Sequence, residues 1–295
     1  MRQIPARLHE SIIWCVDHAP IGNLLLLRIY NVILRTLGGP YRCRTYFGAA
    51  MICEPKDLIQ HLILHFGVWE PNISRAIEQS LMPGDVCADI GANVGYETLL
   101  AAHLVGPQGG VVAIEASPST YSLLRRNLDE NGYSNVRPVQ VAVSDSAGTV
   151  NLYGGTDVNR GRTTTLPTRE LPLECTVQAL PLDQILTSDE RLRLRLIKMD
   201  IEGAEVAVVR RLLTTLDLYP ESMRLLVEVS PCDEWRELFD QLVDVGFRAY
   251  YLHNSYDRRW YISSRNQRVP AHEIFEMPAT QADILFSRTS FDADE

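Results

Sequence analysis

The chain has 295 residues, 46% hydrophobic and 22% charged, and carries a net charge of −9 from 28 basic and 37 acidic residues. That length suits one decorated α/β domain, or one domain with an appendage, and the composition suits a globular protein with a sizeable core. The negative balance argues against nonspecific binding to nucleic acid or to an anionic membrane.

In chain order, Ile12-Ile13-Trp14-Cys15-Val16 is too short for a signal peptide and Asp17-His18 ends it, so no leader is expected. No apolar run reaches the length of a membrane span. Ile21 to Leu37 reads as an amphipathic helix, cut by Asn23, Arg28, Asn31 and Arg35. Its first reading is a helix packed on the domain or on a second copy of the chain. Weak peripheral membrane contact is the second, since Arg28 and Arg35 among leucines suit an interface. Tyr41 to Cys53 reads as two short strands around a turn, and Asp57 to Phe66 as a helix. Gly67-Val68-Trp69-Glu70-Pro71 is a turn before a helix running to Leu81, with Asn72 or Ser74 as its cap. Glu70 is either a surface charge before Pro71 or a cofactor contact. Residues 1–66 are expected to form a helical and strand extension, and residues 67–290 the main domain.

Val86-Cys87-Ala88-Asp89-Ile90 then reads as a short buried strand. It runs into Gly91-Ala92-Asn93-Val94-Gly95 and a helix from Tyr96-Glu97-Thr98 that stops at Gly106-Pro107. An acid at a strand end, followed by glycines where a helix opens, is a nucleotide-site arrangement: the glycines admit a ligand and free N–H groups face it. A dinucleotide fingerprint needs a second glycine where Asn93 stands, and Asp89 is a poor neighbour for a pyrophosphate. Asp89 suits instead the amine of an amino-acid moiety. About twenty residues after the turn, Val111 to Glu115 is a second buried strand ending in a carboxylate placed for ribose hydroxyls. The ligand this implies is an adenosine-like nucleoside with no phosphate and an amino-acid tail, which describes S-adenosylmethionine.

Ser117-Pro118 opens the next helix, Ser117 as cap, and the helix ends near Asn131-Gly132. Val136 to Val143 is a third strand, and Thr149 to Tyr153 a hairpin strand. Parallel strands joined by helices give a doubly wound α/β sheet. Gly154 to Pro172, with its glycines, hydroxyls, Arg160 and Arg162, is part of an acceptor pocket or lid, or else a solvated hairpin tip. Leu194 to Asp200 is the fourth parallel strand, ending in Asp200-Ile201-Glu202-Gly203-Ala204-Glu205. Asp200 and Glu202 are thereby expected on the same sheet edge as Asp89 and Glu115, with a helix from Ala204 to Leu213 behind them. Leu225 to Val229 is a fifth strand, with Glu228 on that rim. Trp235 to Val245 is a helix, and Phe247 to Leu252 with Ala282 to Phe286 an antiparallel edge pair. His253 to Arg258 and Trp260-Tyr261 form a loop facing the acceptor. The six cysteines, at 15, 43, 53, 87, 175 and 232, make no Cys-x-x-Cys pair and no zinc spacing. They read as scattered buried thiols of a reducing, cytoplasmic compartment, and no metal is expected.

Asp89-Ile-Gly-Ala-Asn-Val-Gly-Tyr-Glu-Thr98, Ile114-Glu-Ala-Ser-Pro118, Lys198-Met-Asp-Ile-Glu-Gly-Ala-Glu205 and Val227-Glu-Val229 together resemble the FkbM-type S-adenosylmethionine-dependent methyltransferases. The resemblance covers roughly residues 67 to 230 and implies a seven-stranded, mostly parallel class I methyltransferase sheet with helices on both faces. It implies methyl transfer to a hydroxyl of a sugar, glycan or glycolipid, or of a polyketide-like natural product. Asp89, Gly91, Asn93, Gly95 and Glu115 match the cofactor motifs, and Asp200, Glu202 and Gly203 the acidic motif near the transferred methyl. Ala116 departs from the proline that many members carry.

The cofactor set expected on both grounds is Glu70, Asp89, Gly91, Ala92, Asn93, Gly95, Tyr96 and Thr98, then Glu115, Ala116, Ser117, Ala142 and Val143. Asp200 and Glu202 are the candidate catalytic bases, with His253 third. Two other readings stay open: an NAD(P)-binding oxidoreductase on a similar fold, and a catalytically silent cofactor-binding module.

Overall fold

The computed structural model describes residues 23–154, 163–165, 171–257, 260–261 and 270–291. Helix α1 (Asn23–Leu37) leads to a hairpin, β1 (Tyr41–Arg44) and β2 (Ala50–Cys53), and to helices α2 (Leu58–Phe66) and α3 (Pro71–Ser80). Then come β3 (Val86–Ile90), α4 (Tyr96–Val105), β4 (Gly110–Ile114), α5 (Pro118–Asp129) and β5 (Val136–Val139). β6 (Ala142–Val143), β7 (Gly148–Tyr153) and β8 (Leu173–Leu180) follow, then two short helices, α6 (Leu182–Ile185) and α7 (Ser188–Leu192). The chain closes with β9 (Leu194–Met199), α8 (Glu205–Thr214), β10 (Arg224–Val229), α9 (Asp233–Asp244), β11 (Arg248–Leu252), β12 (His272–Ile274) and β13 (Ala282–Ser287).

The central sheet has the order β12-β11-β13-β10-β9-β3-β4-β5. β10, β9, β3, β4 and β5 run parallel, and β13 is antiparallel to both of its neighbours. This is the seven-stranded, mostly parallel sheet that the family resemblance implied, with one short strand, β12, added at the edge. β11 and β13 form the expected antiparallel pair at this end of the sheet, and only the short β12 lies outside them.

Alternation along β3 shows why both faces need helices. Val86, Ala88 and Ile90 pack with Val208, Val209 and Leu212 of α8 and with Trp235, Leu238, Phe239 and Leu242 of α9. Cys87 faces the other way, against Ile73 and Ile77 of α3 and Leu100 and Ala101 of α4. The α9 residues fall at i, i+3, i+4 and i+7, one stripe of the helix. Burying each such side chain is worth about 1.5–3 kcal/mol. Residues 30–66 share a core with the rest of the described chain: Tyr41, Met51 and Leu62 pack with Tyr96, Leu99 and Leu124.

Three local expectations need correction. The strand read as Val136 to Val143 is two strands, because β4 ends at Ile114 opposite Val139 and the chain turns at Ser117-Pro118. With no partner left, the chain crosses to a separate three-stranded sheet, β6-β8-β7, of which β8 was not expected. Neither Asn72 nor Ser74 caps α3; the helix starts at Pro71, whose missing N–H costs nothing there, and Ser74 Oγ donates to the Trp69 carbonyl instead (2.7 Å). The thiols are not all scattered or fully buried: Cys43 and Cys53 bring their sulfurs within 3.6 Å across β1 and β2, and Cys175 and Cys232 are partly exposed.

In α1, Tyr30 and Leu34 turn inward while Ile29, Val32, Ile33 and Leu37 are exposed. Among the described residues no helix is long and apolar enough to cross a membrane. The loop expected over Gly154 to Pro172 lies largely outside the described residues, apart from Gly154, Thr163 to Thr165, Leu171 and Pro172.

Candidate active site

The sheet reverses its direction of growth between β3 and β9, which is where open α/β sheets hold their ligands. A cavity of about 510 Å³ opens there, beyond the carboxyl ends of the parallel strands.

Its floor is a close contact between two loops. Gly91 has φ +79°, and a Cβ built on it would lie 1.9 Å from the carbonyl oxygen of Asp200. Only glycine lets the two loops meet. The Gly91 and Ala92 N–H groups both donate to the Ile114 carbonyl (2.9 and 3.0 Å), and the Asp200 N–H to the Ile90 carbonyl (3.1 Å). Asn93, left-handed at φ 49°, donates its N–H to Glu115 Oε2 (2.9 Å), and Gly95 to the Ala92 carbonyl (2.8 Å). The free N–H groups expected to face the ligand are thus used inside the protein at these four positions. What the turn offers a ligand is acceptors, which is the wrong chemistry for a phosphate and the right one for an ammonium group.

Gly91, Asn93 and Tyr96 line the cavity from the β3–α4 turn, and Glu115 and Ala116 from the end of β4. Ala142 and Val143 of β6 close that end. The other expected cofactor residues stand behind this wall. Asp89 is fully buried inside β3 and accepts the Thr98 hydroxyl at 2.5 Å. Ala92 is buried, and Gly95 lets α4 approach Leu124 of α5, since a Cβ there would lie 2.7 Å from a Leu124 methyl. Ser117 caps α5, as expected, and donates to Glu174 Oε1 of β8 (2.7 Å).

Glu115 holds two backbone donors, Asn93 N–H and Ser117 N–H (2.8 Å). Burial nevertheless pushes its carboxyl up to about 7. Two acids at the same edge have an oxygen with no hydrogen bond among the described residues: Asp89 Oδ1 and Glu97 Oε1. Buried acceptors without donors fit a ligand that brings an ammonium group. That is the observation by which these residues suit S-adenosylmethionine.

Beyond the floor lies the loop after β9. Glu202 is left-handed (φ 56°), and Gly203 has φ +104°. The fold is held by Glu205, buried at the head of α8, which accepts from the Ile201 and Gly203 N–H groups (2.9 Å each). The Glu202 carbonyl accepts the Thr164 hydroxyl (2.6 Å). Asp200 and Glu202 line the cavity here, as expected. His253 does not reach it; its ring lies edge-on to Trp260.

Sequence reasoning missed three groups of this site. Lys198 is 7% exposed, and its Nζ is 3.7 Å from Asp200 Oδ2. Burial pulls its pKa down, but Asp200, Glu97, Asp89 and Glu70 outweigh burial and hold it above the ordinary lysine value. Glu97 lines the same cavity and is pushed up to about 8, chiefly by burial. Asp283 on β13 lies directly opposite Glu228 on β10. Its signal was legible: a carboxylate inside the apolar run Ala282 to Phe286. Burial first, then Glu70 and Glu228, raise Asp283 well above the usual carboxylate range, and Glu228 is pushed up to about 8. Glu70 does not line the cavity. It accepts from Tyr256 OH (2.7 Å) and Asn254 Nδ2 (2.9 Å), and Asn254 Nδ2 also reaches Asp283 Oδ2 (3.2 Å).

These raised acids set a pH dependence. Glu97 goes from an ordinary value of 4.5 to about 8 on folding. Between those values the folded state binds the proton more tightly than the unfolded chain, so this group lowers stability progressively as pH rises. Glu97→Gln removes that cost. Its melting temperature, relative to the unsubstituted protein, is expected to climb as pH is raised from about 5 to about 8. A difference constant with pH in thermal melts would contradict the assignment.

The family model described as "Methyltransferase FkbM domain" matches residues 89–249. The hexuronic acid methyltransferase AglP of Haloferax volcanii is 24% identical over 149 residues, 50% of this chain and 58% of that protein. The 31-O-demethyl-FK506 methyltransferase FkbM of Streptomyces tacrolimicus is 44% identical over 68 residues, 23% of this chain and 25% of that protein. The matches span 15% to 58% of the lengths of the first three curated relatives. Among solved structures, an S-adenosylmethionine-dependent O-methyltransferase of Thermotoga maritima aligns with TM-score 0.41 at 16% identity, over 86% of this chain and 79% of that one.

Proposed function

The chain belongs to the FkbM methyltransferase family and depends on S-adenosylmethionine, and from that premise we propose that it methylates a hydroxyl oxygen of a sugar, a glycan or a polyketide-like molecule. The observation that carries this reading is the pair of carboxylates, Asp200 and Glu202, on the cavity wall beside the glycine corner. Bound in that corner, S-adenosylmethionine supplies an already activated methyl group to an oxygen nucleophile. The protein's share is alignment, exclusion of water and a place for the hydroxyl proton.

In this reading Gly91, Asn93, Glu115, Ala142 and Val143 hold the adenosyl part, and Asp89 and Glu97 favour the amino-acid end. Asp200 or Glu202 receives the proton, and Lys198 pairs with Asp200 beside it. The names of the two relatives, one for a sugar acid and one for a demethylated natural product, support oxygen as the target.

Asp200→Asn and Glu202→Gln test the assignment. Loss of the proton acceptor is expected to lower turnover by about 100-fold or more. Calorimetric affinity for S-adenosylhomocysteine is expected to stay within a few-fold. Near-normal turnover in both variants would remove the carboxylates from the mechanism.

A further inference from the structure

Building on the oxygen-methylation reading, we propose that the acceptor brings hydrogen-bond donors and no negative charge to the far end of the cavity: an uncharged polyol such as a neutral sugar unit, not a uronic acid or a phosphorylated sugar.

That end is made by Glu228 and Asp283, facing each other across β10 and β13, with Gln281, Asn254 and Tyr256 around them. Six carboxylates line the whole cavity: Glu97, Glu115, Asp200, Glu202, Glu228 and Asp283. Against them the described lining carries one cation, Lys198, and it is engaged with Asp200. No arginine lines the cavity among the described residues. A carboxylate or phosphate on the acceptor would be buried there with no uncommitted cation among the described residues to pair it.

Hydrogen bonding points the same way. Both amide protons' worth of donation from Asn254 goes to Glu70 and Asp283, and the Tyr256 hydroxyl goes to Glu70. The atom left without a partner at this end is an acceptor, Asn254 Oδ1. A ligand that satisfies it must donate, as a hydroxyl group does. Trp69 and Tyr256, stacked with centroids 5.3 Å apart and planes 12° from parallel, add a flat apolar wall. Such a wall suits the C–H face of a sugar ring.

The test incubates the full chain with methyl-labelled S-adenosylmethionine and the glycolipid and polysaccharide extracts of its source. Labelled products are hydrolysed to single units and passed over an anion exchanger. Label in the unretained, neutral fraction is the expected result. Label retained as a methylated uronic acid or sugar phosphate would overturn this inference while leaving oxygen methylation intact. No labelled hydroxyl compound at all, with S-adenosylhomocysteine binding by calorimetry, would overturn the oxygen-methylation reading and this inference with it.

Discussion

Gly91→Ala is expected to abolish detectable binding of S-adenosylhomocysteine and to lower the melting temperature by about 10 °C. The added Cβ would sit 1.9 Å from the Asp200 carbonyl oxygen and 3.0 Å from its carbon, and both are backbone. Neither can swing away as a flexible side chain would. A left-handed backbone adds about 1–2 kcal/mol for any residue with a Cβ, and overpacking adds about 1–3 kcal/mol. Together these come to about 3 kcal/mol or more, and a protein of this size loses about 2–4 °C per kcal/mol. The clash also pushes apart the two loops that form the cavity floor, so binding fails along with stability. Gly84→Ala is the control. Gly84 has φ +95° with nothing within 4 Å of a Cβ, so it carries the backbone cost alone and is expected to bind normally. Calorimetry and thermal melts of the two variants side by side read both outcomes; equal binding by both would remove the cavity floor from the account.

Lys198→Met is the second large effect. Methionine keeps an apolar stem in the strand and removes the charge. Asp200 loses an ion-pair partner at 3.7 Å, and the buried Asp89 and Glu97 lose their nearest balancing charge. Removing one partner of a buried pair costs about 3–5 kcal/mol, most of it from the charge left behind. Turnover is expected to fall about 100-fold or more at pH 8. The sign with pH is fixed by which groups titrate: the acids take up protons as pH falls, and a protonated acid does not need the lysine. The stability deficit of the variant is therefore expected to shrink between about pH 8 and about pH 5. A deficit that grows on acidification would show that Lys198 serves something other than these carboxylates.

The glycine corner, Glu115 and the Asp200–Glu202 loop were legible in the sequence because each is a local pattern: residue types set at a strand end and a helix start. The β3–α4 turn and the Ser117 cap fall where the spacing put them. Most of what failed depends on a partner far along the chain. Val136 to Val143 carried no mark of its break, because the break is set by where β4 ends. β8 was missed although its signal was there: Leu173, Cys175, Val177 and Ala179 alternate with Glu174, Thr176 and Gln178, the period of a half-buried strand. Lys198 read only as a residue of the fourth parallel strand, and only the fold shows it buried among acids. Glu97 stood in the sequence only as part of the helix start after the glycine turn, and nothing local gives it a place at the site. The N–H groups of the glycine turn were expected to be free, and the fold turns four of them on Ile114, Glu115 and Ala92 instead.

A crystal structure of the chain with S-adenosylhomocysteine tests the central claim most directly. The account predicts the nucleoside between Glu115 and the Ala142–Val143 strand, the amino-acid end over Gly91 toward Glu97, and Asp200 and Glu202 facing the sulfur. The molecule lodged away from the β3–β9 edge, or a phosphate-like anion held there in its place, would contradict it.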